Sequence, residues 1–451
     1  MRMLLCFMLS SRMRRLPGIG KREKVPCAAR RACGGGYHAR MSTASATPGD
    51  DPSHRGGEPL AGAGMGRSSP AASERPTRIV VDLDAIAGNL RNIQAHVGVA
   101  VMPIVKANAY GHGLVPVARH LQAVGAGRMG VAFVEEGVAL RRAGVTVPIL
   151  VMGGIFGHQV GQFLSHDLDI TVSSLSKLRQ VEAAAEAAGR KAAIHLKVDT
   201  GMERIGVHGY SAGPFVEAAV RSRWCEIRGV YSHLACADDP ESPMTALQLE
   251  RFLEACAHFD RLGTPMPVRH LANSGGVLHF PDTHLDMVRP GILLYGVLPD
   301  PASRPAIPVR SALSLLSQVV YFKVVRAGAT VGYGATWTAL HDTRVVTVPI
   351  GYGDGWPRAV SSRGQVLIRG RRHPLVGRVC MDQFMVDIGD NSAFNEDEVV
   401  LVGRQDGESI TIEEVARTAG TIPYEILVQL NERIPRQYRG GERAGRPTGI
   451  G

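Results

Sequence analysis

The sequence has no apolar run long enough to span a membrane, and no two of its seven cysteines stand at Cys-x-x-Cys spacing. The first absence excludes a transmembrane helix. The second argues against a zinc site and a disulfide framework, so no metal is expected and the thiols are expected reduced, in a cytoplasm. Positive charge is missing where a nucleic-acid partner would need it. The formal charge of the 451 residues is +10, yet residues 1–76 hold 13 Lys and Arg against 5 Asp and Glu, which leaves a surplus of only two for the rest. A basic leader on a nearly neutral body argues against a basic binding face on the folded part. A secretory signal is also lacking: "MLLCFML" is short, soon followed by "SSRMRRLPG", and has no small-residue cleavage site. The Arg pairs at 14–15 and 30–31 precede no long apolar segment, which argues against twin-arginine export. Rich in Arg, Gly, Ser, Ala and Pro, residues 1–76 are expected to be a disordered leader. We expect an overlong gene start, with Met41 or Met65 as initiator, in preference to an organellar transit peptide.

What is present is a globular chain with 45% hydrophobic residues and length for two or three domains. Eight short apolar runs follow residue 100: "VMPIV", "GVAFV", "VPILV", "LDITV", "AIHLKV", "IRGVYS", "VRHLA" and "LDMV". Between them lie helical patterns closed by glycine, such as "SSLSKLRQVEAAAEAAG" and "SPMTALQLERFLEACAHFDRLG". Strands alternating with helices predict a (β/α)8 TIM-like barrel over residues 77–311. After a proline-dense linker, "PDPASRPAIP", the period changes to that of strands with glycine turns, interrupted by one helix at "IEEVARTAG". Residues 312–451 are therefore expected to form a β-rich C-terminal domain.

In such a barrel, residues just past the carboxyl ends of the strands converge on one mouth. Those positions carry Lys106, Lys197 leading to Arg204, His233, Asn273 with Ser274, and Arg289. Each has an ordinary explanation alone: a strand-end lysine is usually solvated, Lys197 can snorkel, and a lone histidine usually serves the core. Together, cations, a histidine and Ser/Gly turns suit an anionic, phosphate-bearing ligand. A lysine there also serves as an amine nucleophile toward a carbonyl once burial and neighbouring cations lower its pKa.

Seven motifs in order, "VMPIVKANAYGHG", "HLKVDTGMERIGV", "HLANSGG", "RPGILLYG", "VGYGATW", "PIGYGDGWPR" and "GRVCMDQFMVDIG", resemble alanine racemase from about residue 77 to about 440. The resemblance implies a pyridoxal 5'-phosphate enzyme of fold type III that interconverts L- and D-alanine and supplies D-alanine for peptidoglycan. It further implies a head-to-tail homodimer with shared active sites, and an opening strand around "TRIVVDL" packed with the β domain. Lys106 matches the lysine that holds the cofactor as a Schiff base and exchanges the proton on the D face. Tyr333 matches the tyrosine that reaches in from the partner subunit and exchanges the proton on the L face.

An ordinary phenol costs about 4 kcal/mol to ionise at pH 7, so positive groups must offset it, and Arg204 and His233 are the candidates. By resemblance, Arg204 also bonds the cofactor's phenolic oxygen, and Lys197 is carbamylated to orient that arginine. Arg289 corresponds to the arginine facing the pyridine nitrogen; a guanidinium does not readily give up its proton, which limits the cofactor as an electron sink. Tyr110, Ser274, Gly291, Ile292, Tyr352 and Tyr438 match phosphate-binding positions, and the amide of Met381 from the partner chain matches a substrate-carboxylate position. His270 and Asn273 fit supporting roles. Gly353, Trp356 and Trp337 depart from the commoner family residues and bear on the shape of the entrance. Three alternatives stand beside this expectation: a racemase of broader scope accepting serine or basic amino acids, a decarboxylase on the same plan, which would carry glutamate in place of Arg289, and a non-catalytic cofactor carrier, which would lack Tyr333.

Overall fold

The structure, a computed structural model, describes residues 75–299 and 307–441. The leader up to residue 74 and most of the proline-dense linker lie outside the described residues. Arg75, counted with the leader above, belongs to the fold: its guanidinium bonds Asp354 at 2.7 and 2.6 Å and the Pro349 carbonyl at 3.1 and 2.7 Å.

The first strand, β1 (Arg78–Asp82), does not enter the barrel. Asp82 ends it and caps the helix α1 (Leu83–Val97) by accepting from the Ala85 amide at 2.8 Å. The eight apolar runs then become β2 (Ala100–Val101), β3 (Met129–Val131), β4 (Ile149–Val151), β5 (Asp169–Val172), β6 (Ala192–Asp199), β7 (Cys225–Tyr231), β8 (Val268–His270) and β9 (Met287–Val288). Strands β3 to β8 make one parallel sheet, and β2 pairs with β9. Backbone bonds join the two sets. On one side the Val105 amide donates to Gly130 at 2.9 Å; on the other the Arg289 amide donates to Ala272 at 2.9 Å. Buried on both faces, β3, β4 and β5 read as apolar runs rather than as alternation. Val131, Ile170, Leu196 and Val230 are fully buried in the parallel sheet.

The helix order departs from a simple β-then-α repeat. After β9 the described chain forms only a 3₁₀ turn, Ile292–Tyr295, and the matching place in the ring is taken by α1. Asn89 of α1 holds it there, donating to the Leu294 and Arg310 carbonyls at 3.0 and 2.9 Å.

Beyond the linker run β10 (Leu313–Gln318), β11 (Tyr321–Val325), β12 (Thr343–Val348), β13 (Gln365–Ile368), β14 (Arg371–Val376), β15 (Phe384–Gly389), β16 (Glu398–Gln405) and β17 (Arg436–Arg439). Their sheet order is β11-β12-β15-β14-β13-β16-β10-β1-β17. The opening strand β1 thus lies between β10, antiparallel with Ile79 opposite Leu315, and β17, parallel with Ile79 opposite Arg436. The helix at "IEEVARTAG" spans Ile412–Ala419, capped by Thr411 and closed by Gly420 in the left-handed region. A second helix, Pro423–Gln429, was not expected; at seven residues it is too short to show a period.

Candidate active site

The chain enters the mouth at Lys106 through an unusual turn. Ala107, Asn108, Ala109 and Tyr110 all have φ between 52° and 54°, one turn of left-handed helix made without glycine. Each such residue costs roughly 1–2 kcal/mol, somewhat less for asparagine. Dedicated partners offset it. Glu136 accepts from the Ala107 amide at 2.6 Å with one oxygen and from Ala132 and Phe133 at 2.8 and 3.2 Å with the other. The Asn108 side chain accepts from Leu114 at 2.8 Å. His112 donates through Nδ1 to the Tyr110 and Ala109 carbonyls at 2.9 and 3.1 Å, while its ring stacks on Tyr295 at 4.4 Å. The strand-end lysine of the sequence is therefore mounted on a strained, heavily braced pedestal.

Burial lowers the pKa of Lys106, as do the guanidiniums of Arg204 and Arg289, while Glu136 opposes them. Arg204 stands on a loop gathered by one carboxylate: Asp199 accepts from the amides of Gly201, Met202, Glu203 and Arg204 at 2.8 to 3.1 Å. Those amides hold the Asp199 carboxyl below the usual range against the opposing effect of burial. Lys197 is 3% exposed, with its ammonium 5.1 Å from the centre of the Tyr231 ring. Burial, then Arg289, brings it from 10.5 to about 7.

Arg289 is buried, with NH2 donating to the Ser232 and Leu271 carbonyls at 2.7 and 3.0 Å and NH1 donating to His270 Nδ1 at 3.0 Å. Burial brings its pKa down from 12.5 to about 10, which leaves it charged at neutral pH. Burial and the cations Arg289, Arg204, Lys197 and Lys106 hold the pKa of His233 well below 6.5, which disfavours its charged form.

Next to these cations, Ser274 accepts from the Gly291 and Leu293 amides at 3.0 and 3.3 Å. The Tyr110 hydroxyl lies where a Cβ at Gly291 would approach to 2.2 Å, so glycine is what lets hydroxyl and backbone meet there. Ile292 begins the turn that follows, where an amide has no carbonyl of its own turn to bond. Asn273 accepts from Gly276 at 3.0 Å and so places Ser274 at the start of its short helix.

The chain does not turn every expected residue into this mouth. Tyr333 is 70% exposed and lines a groove formed by the sheet part, with Tyr321, Val324, Val331 and Met385. Met381 is likewise exposed. Tyr352 is fixed by its amide to the Cys380 carbonyl at 3.1 Å, and Tyr438 sits in β17 opposite Val81, its hydroxyl over Gly113. Glu136 and Asp199 were missed in the sequence. Their signal was there: Glu136 stands three residues after the residue preceding a helix, a capping position, and Asp199 is the last residue of the strand that carries Lys197.

The alanine racemase N-terminal domain family matches residues 81–299 and the alanine racemase C-terminal domain family matches residues 312–438. The chain belongs to the alanine racemase family. Among curated members, alanine racemase of Symbiobacterium thermophilum is 44% identical over 372 residues, 82% of this chain and 98% of that protein. The Thermobifida fusca alanine racemase is 42% identical over 368 residues, covering 80% and 98%. Among solved structures, alanine racemase from D-cycloserine-producing Streptomyces lavendulae superposes with a TM-score of 0.79 at 40% identity, covering 82% of this chain and 98% of that one. Alanine racemase from Bacillus anthracis with bound L-Ala-P gives 0.77 at 36% identity, covering 82% and 97%. The alanine racemase family depends on pyridoxal 5'-phosphate, and the site suits that group: an amine of lowered pKa, a hydroxyl and amide cradle for a phosphate, and a buried guanidinium.

Proposed function

We propose that the protein interconverts L- and D-alanine as a pyridoxal-phosphate-dependent racemase in the cytoplasm, supplying D-alanine for peptidoglycan, with active sites shared between two copies of the chain. The observation that carries this is Lys106, an amine set among the guanidiniums of Arg204 and Arg289, beside the cradle of Tyr110, Ser274, Gly291 and Ile292. When bound, the cofactor supplies an electron-withdrawing ring that acidifies the substrate Cα–H.

The residues divide the remaining work. Lys106, its pKa lowered by burial and by the guanidiniums of Arg204 and Arg289, attaches the cofactor and takes or returns a proton on one face. Tyr333 of a second copy does so on the other, and the Met381 amide of that copy binds the substrate carboxylate. Arg204 offsets the cost of ionising the tyrosine. Arg289 stays charged and keeps its proton, so it would hold the ring nitrogen by donating a hydrogen bond without protonating it, which would restrain electron withdrawal. Lys197, with a pKa of about 7, presents the neutral amine that carbon dioxide requires; its carbamate would be an anion suited to orienting Arg204. Tyr352 and Tyr438 complete the assigned phosphate contacts.

A chiral assay over a panel of L-amino acids tests the assignment. Alanine is expected to be racemised fastest, with Lys106→Ala inactive and Tyr333→Phe slowed about 100-fold or more in the L-to-D direction. Faster turnover of serine or a basic amino acid would replace the substrate, and undiminished L-to-D turnover by Tyr333→Phe would remove the second base.

A further inference from the structure

A chain of buried polar groups crosses the barrel interior, where such folds usually stack Val, Ile and Leu. It starts at Asp169, at the amino end of β5, passes His195 in β6 and His270 in β8, and ends on Arg289 after β9. Asp169 and Arg289 are each 3% exposed, and both histidines are fully buried. His195 Nδ1 and His270 Nε2 are hydrogen-bonded at 2.9 Å and His270 Nδ1 and Arg289 NH1 at 3.0 Å, while Asp169 Oδ2 stands 3.4 Å from His195 Nε2, an ion-pair contact longer and less well aligned than a hydrogen bond. Four polar groups in a barrel core are costly unless each satisfies the next.

We propose that Asp169, acting through His195 and His270, fixes the direction of the hydrogen bonds that hold Arg289 and so serves as a positioning residue for the guanidinium at the barrel mouth. The donor inventory of the two ends, a guanidinium and a carboxylate, sets that direction. A guanidinium only donates, so His270 Nδ1 accepts, and the ring carries its one proton on Nε2. That proton faces His195 Nδ1, which therefore accepts, placing the His195 proton on Nε2 toward Asp169. The carboxylate only accepts, and ends the chain. Both histidines are neutral Nε2–H tautomers, and every N–H points from the arginine toward the carboxylate.

Two further contacts lock the arrangement. Tyr231 stacks flat on His270, centroids 4.8 Å apart, with its hydroxyl bonded to Thr171 at 2.7 Å. Arg228 NH1 donates to the other Asp169 oxygen, Oδ1, at 3.0 Å. With Oδ1 claimed by Arg228, an Asp169→Asn side chain must keep its carbonyl there and turn its NH2 toward His195. Each ring then flips tautomer in sequence, and His270 presents Nδ1–H to Arg289, donor against donor. The proposal's effect on catalysis rests on the assignment of Arg289 to the pyridine nitrogen; the direction of the chain does not.

Ring ¹⁵N NMR of histidine-labelled holoenzyme is the test. Wild type is expected to show Nε2–H at His195 and His270; an Nδ1–H tautomer at either would overturn the proposal without any variant. In Asp169→Asn the His270 proton is expected on Nδ1, the visible absorption of the bound cofactor is expected to shift, and kcat is expected to fall by about tenfold with KM for alanine little changed. Asp169→Glu is expected to restore the wild-type tautomers and most of kcat. Lost activity with unaltered tautomers would mean that Asp169 merely stabilises the barrel, and the proposal fails. Reversed tautomers with an unchanged cofactor spectrum would uphold the chain and sink the placement of Arg289.

Discussion

At the scale of single residues, the site is an exercise in making basic groups less basic. Lys197 shows the consequence for stability. Its folded pKa, about 7, lies below the 10.5 of an exposed lysine, so between those values the unfolded chain binds a proton that the folded one does not. Stability therefore rises with pH across that window, by about 1.4 kcal/mol per pH unit at most. In urea titrations between pH 7.5 and 9.5 in carbonate-free buffer, wild type is expected to gain stability relative to Lys197→Met; parallel curves would place the lysine in water. His112 runs in the acid direction. Its pKa, lowered to about 4 by burial, makes stability fall as pH drops from 6.5 toward 4, and His112→Asn is expected to show a shallower loss over the same range. Lys106, Lys197 and Arg289 were legible in the sequence because strand-end positions announce themselves. Asp169 and His195 were not: each sits inside an apolar run and looks like part of the wall, and their partners are scattered through the chain.

At the scale of elements, all eight predicted strands form, although β2 and β9 reduce to two residues each. Periodicity finds a buried run but not its hydrogen-bonded length, and it is blind to handedness. "KANAYG" gives no hint of a left-handed turn, since glycine, the usual mark of positive φ, is absent until Gly111. The strain there is held by Glu136 and His112, and it orients Lys106. Ala107→Gly is expected to relieve it, leaving stability unchanged or raised by up to about 1 kcal/mol after the entropy glycine gains in the unfolded chain. The same variant is expected to lose kcat, because the pedestal under the amine is looser. Measuring thermal stability and kcat together checks this; a variant losing both would show that the turn is a requirement of the fold. The change from barrel to sheet was visible as a change of period, whereas the wrapping of β1 into the later sheet came only from resemblance, for nothing local in "RIVVD" names its neighbours.

At the scale of the whole molecule, the two bases of the proposed reaction lie at separate places in the chain. Lys106 lies in the barrel mouth, while Tyr333 is exposed on the sheet part. If two copies exchange these groups, a dimer pairing a Lys106→Ala chain with a Tyr333→Phe chain has one site with both defects and one with neither. Unfolding and refolding an equal mixture of the two inactive variants is then expected to recover about a quarter of wild-type activity, from random pairing of a twofold dimer. No recovery, with mixed dimers present, would put both groups in one chain. The clasp at the start of the described chain bears on how far the protein can be trimmed. Asp354 is fully buried, and its carboxylate bonds both Arg75 and the Gly351 amide at the head of the "GYGDG" turn. Chains begun at Met41 or Met65 retain that guanidinium, whereas one begun at Thr77 leaves the buried carboxylate with only the Gly351 amide and the longer 3.4 Å contact of Arg433, and loosens a turn more than 270 residues away in sequence. The limit of safe shortening falls between those starts, at an arginine that composition alone would have discarded with the tail.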